Sequence, residues 1–183
     1  MEAFYNTHKY LVEHVHSPVR RQLMDEIDWN HRLIGIKGSR GVGKTTFLLQ
    51  YAKDCFGTDR SCLYINFNNF YFTQHTLVEF AADFCKQGGK TLLIDQIFKY
   101  ENWSKELREC YDKFPELHIV FSGSSVMRVI EGNEDIQDIV ASYNLRGFSF
   151  REFLNLKTGL QLPSYNIEDI LQNHESICKE ICA

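Results

Sequence analysis

Two kinds of apolar pattern alternate along the chain. Short continuous apolar runs, bounded by turn residues, occupy residues 32–37, 62–67, 91–95 and 118–121, and a fifth, shorter one lies at 143–145. Runs of this length without in–out alternation predict strands covered on both faces. Between them, apolar residues recur at helical spacing. Tyr10, Leu11, Val15, Val19, Leu23 and Ile27 form a stripe over 4–28, which Ser17-Pro18 divides into two helices, the second starting near the proline. Further helices are predicted over 45–55, over 76–86 with Gly88-Gly89 as its stop, over 104–114 ahead of Pro115, from Ser149 onward, and over 167–182. Strand and helix alternate throughout. The expected fold is therefore α/β, a doubly wound, mainly parallel five-stranded sheet.

The first strand runs into Gly38-Ser39-Arg40-Gly41-Val42-Gly43-Lys44-Thr45, which fits G-x-x-x-x-G-K-[ST], and Thr46 continues it into the following helix. Glycines let such a loop curl so that successive N–H groups face one concave anion site at a helix N-terminus. Lys44 would reach the outer phosphates, and the Thr45 hydroxyl would ligate Mg²⁺. The third strand, Leu92-Leu93-Ile94-Asp95, ends in a carboxylate about fifty residues later and suits the second Mg²⁺ contact. The first and third strands are expected to be neighbours in the sheet. Ser122, at the end of the fourth, is a candidate contact for the γ-phosphate or the attacking water. Gln96 follows Asp95 where a hydrolytic base would be useful; an amide can hold a water but cannot take its proton.

Composition changes this picture little. The chain has 183 residues, 44% of them hydrophobic and 24% charged, and a formal net charge of −4. That is enough chain for one well-buried core, and it offers no general basic surface for nucleic acid. No apolar run approaches the ~18 residues of a membrane helix, and Met1-Glu2-Ala3-Phe4 does not begin a signal peptide, so a cytoplasmic location is expected. The six cysteines contain no C-x-x-C pair and read as reduced, mostly buried thiols. Arg20-Arg21 reads as a solvated face. The aromatic group Phe67, Phe70, Tyr71 and Phe72 reads as core and loop packing, and Tyr5 or Tyr10 as a residue that packs over a bound base.

The ordered set of the P-loop, Leu93-Ile94-Asp95 with Trp103 eight residues on, Phe121-Ser122-Gly123-Ser124-Ser125, and Gly147-Phe148-Ser149-Phe150-Arg151-Glu152-Phe153-Leu154 resembles the AAA+-type ATPases of bacteria and archaea whose core precedes a winged-helix-like C-terminal region. The resemblance covers about residues 8–180. It implies ATP and Mg²⁺ at residues 38–46 and Asp95, and a γ-phosphate sensor near Ser122. It also implies a core over 1–155 and the start of a C-terminal helical region, cut short, over 156–183. A homo-oligomer or a protein partner is compatible with it; a membrane is not called for.

Three departures bear on turnover. The family reads Asp-Glu where this chain has Asp95-Gln96. It has a basic residue or His where this chain has Phe98. Its Asp-Leu-Ser-Arg-Arg run becomes Asp135-Ile136-Gln137-Asp138-Ile139, without either arginine. Together they point to retained binding with weakened hydrolysis, either as an ATPase of low turnover or as a nucleotide-dependent binding or scaffold protein. A GTPase would need N-K-x-D, which does not occur, and a small-molecule kinase would need an Arg-rich lid, whereas no Arg follows residue 155.

Overall fold

A computed structural model of the chain describes residues 1–99, 101–123 and 134–182. Five parallel strands form one sheet: β1 (Leu33–Lys37), β2 (Cys62–Asn66), β3 (Thr91–Asp95), β4 (His118–Gly123) and β5 (Ala141–Asn144). Their spatial order is β2-β3-β4-β1-β5. β1 and β3 are therefore not neighbours, contrary to the expectation from the sequence. β4 is inserted between them, pairing Leu33 with Ile119 on one side and Thr91 with His118 on the other. The two glycine-and-carboxylate ends are brought together across β4, which sets Ser122 between them.

Helices cover both faces. α4 (Leu77–Lys86) and α5 (Trp103–Lys113) pack on the face bearing Leu63, Ile65, Leu92, Ile94, Ile119 and Phe121. α3 (Lys44–Cys55) packs on the other, against Ile34, Ile36, Tyr64, Leu93 and Val120. Both sides of every inner strand are thus buried, which explains the unbroken apolar runs. α4 starts at a reciprocal capping box between Thr76 and Glu79 and stops before Gly88, whose φ is +86°.

α1 (Glu2–His14) lies along the β2 edge, its Tyr5 end in the core of one face and its Val12 end in the core of the other. The edge N–H of Tyr64 is satisfied by His8, whose Nδ1 accepts it at 2.9 Å inside the protein. The second expected helix does not begin at Pro18. The chain stays irregular to Gln22, and α2 is a single turn, Leu23–Glu26. The Gln22 N–H there serves Glu152 at 2.8 Å instead of a helical ladder.

Beyond β5 come α6 (Phe150–Thr158), with a second capping box from Ser149 and Glu152, and α7 (Ile167–Cys182), kinked at Asn173. Among the described residues no helix is long and apolar enough to cross a membrane. Phe67 and Phe72 stack in the core as expected, but Phe70 is exposed. Cys62 and Cys110 are buried, whereas Cys55 and Cys178 are exposed, so the thiols are less uniformly interior than their apolar settings implied.

Candidate functional site

The loop between β1 and α3 is shaped by two close constraints. A Cβ on Gly38 would stand 2.3 Å from the carbonyl oxygen of Leu145, so only glycine allows β1 to leave the sheet beside the end of β5. Gly43 caps α3 in the left-handed region, with φ +94°. Lys44 is folded under the loop: its ammonium donates to the carbonyls of Gly38 at 2.9 Å and Ser39 at 2.8 Å. Burial lowers the Lys44 pKa, and the nearby Asp95 carboxylate pulls in the opposite direction.

Asp95, 1% exposed, is the centre of a hydroxyl cluster. Its Oδ2 accepts from Thr45 Oγ1 at 2.6 Å and from the Tyr64 phenol at 2.9 Å, and its Oδ1 accepts from Ser122 Oγ. Thr45, Asp95 and Ser122 therefore converge as the sequence suggested. Tyr64 was not foreseen. Its phenol pKa is raised, first by burial and then by the Asp95 charge, so it remains a hydrogen-bond donor. The available signal was a tyrosine inside an otherwise aliphatic buried strand, because a buried phenol needs a polar partner.

Gln96 is the only non-glycine among the described residues with positive φ, at +58°. Such a conformation costs about 1–2 kcal/mol and persists only where its surroundings impose it. Here the Asn68 amide donates to Gln96 Oε1 at 2.9 Å, and the Gln96 N–H reaches towards Ser122 Oγ at 3.4 Å. The side chain is thereby held at the rim of an open cleft of about 510 Å³, lined by Arg40, Gly41, Gly43, Lys44, Thr45, Asp95, Gln96, Phe98 and Ser122. That is the size range of a small-ligand site. A second, smaller and more apolar hollow, of about 110 Å³, adjoins it through Gly43; Val19, Met24, Val42, Thr46, Phe47 and Phe148 are among its walls. Neither Tyr5 nor Tyr10 reaches it. Tyr5 is in the core beside Arg60, and Tyr10 is exposed and stacked on His14. Ser124 and Ser125 lie outside the described residues.

Arg21 is not on a solvated face. Its guanidinium bridges four groups: Val42 O of the loop at 2.9 Å, Arg146 O at 2.6 Å, Gly147 O at 3.2 Å and Glu152 Oε1 at 3.2 Å, with the Phe148 ring 4.7 Å away. Glu152 also accepts from the N–H groups of Gln22 and Ser149, both at 2.8 Å. Burial alone would raise the Glu152 pKa, but these hydrogen bonds and the Arg21 charge outweigh it, and the net shift is downward. The loop is thus tied to α6 through one buried ion pair. Arg20, by contrast, is exposed and pairs with Asp25 and Asp54.

The oxygen donors of Thr45 and Asp95 suit a hard cation that keeps most of its shell for water and phosphate; among the described residues no group of three His, Cys, Asp or Glu forms a protein cage for a metal.

A family model described as an AAA domain matches residues 30–154. Among solved structures, AMPPCP-bound DnaA from Aquifex aeolicus aligns with a TM-score of 0.50 at 17% identity, over 94% of this chain and 56% of that one. PCH-2 from C. elegans aligns with a TM-score of 0.49 at 13% identity, over 91% and 49%. The chain spans about half the length of these structures. No curated protein matches it.

Proposed function

Because the chain belongs to the AAA domain family, a family of P-loop nucleotide-binding modules, we propose that it binds Mg-ATP through residues 38–46, with Thr45 and Asp95 holding the metal and hydrolysis weakened at Gln96. One observation carries this reading: the Thr45 hydroxyl meets the buried Asp95 carboxylate at 2.6 Å beside the P-loop, with Lys44 packed under the loop. Bound Mg-ATP would supply the polarised terminal phosphate and its leaving group. The chain's own part is to cradle the phosphates with loop amides, to neutralise charge with Lys44, and to offer Thr45 and Asp95 as metal contacts. Tyr64 and Ser122 orient the carboxylate. Val19, Val42 and Phe47 provide an apolar wall for the base in the adjoining hollow.

The observation favouring the second reading, a nucleotide-dependent binding protein that does not turn over, is the Gln96 amide fixed by Asn68. It can position a water without deprotonating it. Losing a positioned base slows such reactions by ~10²–10⁴. Titration calorimetry with Mg-ATP tests the binding. The parent binds, and Lys44→Ala, which deletes a charge-assisted contact, weakens binding by about tenfold or more. Equal affinity in both proteins would refute the assignment. A turnover assay on the same sample then separates the two readings.

A further inference from the structure

The two adjoining hollows give the site a direction. The apolar one, behind Val42 and Phe47, suits a base. The larger one, ending at Asp95, Gln96 and Ser122, suits the far end of a phosphate chain. Arg40 lines only the larger one. Arg20, Arg21, Arg32, Arg60, Arg108 and Arg151 each donate to an oxygen acceptor elsewhere in the protein. Among the described residues the guanidinium groups of Arg40 and Arg146 donate to none, and of these two only Arg40 faces the cleft. Among the described residues the one carboxylate lining that cleft, Asp95, already accepts from three hydroxyls and is buried, so it offers Arg40 no partner. An exposed guanidinium at the mouth of an anion site, with five N–H donors and no protein acceptor among the described residues, matches two oxygens of a phosphoryl group.

We infer that the Arg40 side chain grips the terminal phosphate of a nucleoside triphosphate from within the same chain, and so makes the site discriminate triphosphate from diphosphate. This goes beyond the backbone role that any residue at this loop position has, and it rests on the Mg-ATP reading above. The residue is exposed and its side chain makes no hydrogen bond or ion pair among the described residues, so substitution is expected to leave the fold intact.

The test is a pair of calorimetric titrations, Mg-ATP and Mg-ADP, on the parent, Arg40→Gln and Arg40→Lys. In Arg40→Gln, affinity for Mg-ATP falls about tenfold while that for Mg-ADP stays within about twofold, because only the triphosphate places oxygens at the guanidinium. Arg40→Lys recovers part of the difference, since an ammonium restores the charge without the planar fork. An unchanged ATP-to-ADP affinity ratio in Arg40→Gln, whether both affinities hold or both fall together, overturns the inference while leaving the binding assignment standing. A parent that binds neither nucleotide removes both.

Discussion

Glu152→Ala is the most informative perturbation of the scaffold around the loop. The carboxylate is 4% exposed and collects three donors: the Arg21 guanidinium and the Gln22 N–H on one oxygen, and the Ser149 N–H on the other. Removing one partner of a buried ion pair costs about 3–5 kcal/mol, because the remaining charge is left unsatisfied. Arg21 keeps its three carbonyl contacts, which places the expected loss at the lower end, about 3 kcal/mol. In a domain of this size that corresponds to a fall in Tm of about 6–12 °C. Glu152→Gln dissects the effect. Its carbonyl can still accept from Arg21 and Gln22, but its amide nitrogen cannot accept from Ser149, so a loss of about 1–2 kcal/mol is expected. The pH dependence has a defined sign. Because the Glu152 pKa is lowered in the folded state, its stabilisation is complete above the ordinary carboxyl value of 4.5 and disappears as pH falls through the folded value. Urea unfolding of parent, Ala and Gln variants at pH 7 and again near pH 4 measures all three quantities. A loss below about 1 kcal/mol for Glu152→Ala at pH 7 would refute the claim that this pair holds the loop to α6.

Gln96→Glu restores a carboxylate at the cleft rim and is expected to raise ATP turnover while leaving affinity within a few-fold; single-turnover hydrolysis measures it, and a parent already turning over at about 1 s⁻¹ or faster would show that another group acts as base. His8 accepts the Tyr64 N–H in its neutral form, and burial lowers its pKa, so the parent loses stability as pH drops below the ordinary histidine value of 6.5; His8→Gln, which keeps an acceptor but does not titrate, removes that pH dependence, and parallel melting curves for the two proteins between pH 7 and 5 would disprove the role.

Local patterns and long-range arrangement were unequally legible in the sequence. The P-loop, Asp95 and the strand–helix alternation were readable because each is written in consecutive residues or in a short period. The Ser149–Glu152 capping box has a readable spacing as well, but the further use of Glu152 as the partner of Arg21 is a contact between distant parts of the chain. Arg20-Arg21 looks like any surface pair, and which of the two is buried depends on where α6 lies. Tyr64 was hidden by the covered sheet: with both faces apolar, strand position carries no alternation to mark which side chain meets Asp95. The order of strands was misjudged for a related reason. Nothing within β1 or β3 says that β4 intervenes, since pairing partners in a parallel sheet are chosen by crossover and packing.

The position of β1 in the sheet has a consequence for how the protein comes into being. Cys62 on β2 finds Thr91 on β3 after one helix, but Leu33 on β1 must wait for Ile119, and Ile34 for Ala141. In a chain growing from its N-terminus, β2 and β3 thus have each other before β1 has any strand partner. Closing the longer loops costs more chain entropy and is repaid only when β4 arrives. Chain entropy thus predicts that the loop is among the last parts to assemble, with β1 the strand left unpaired in the interval.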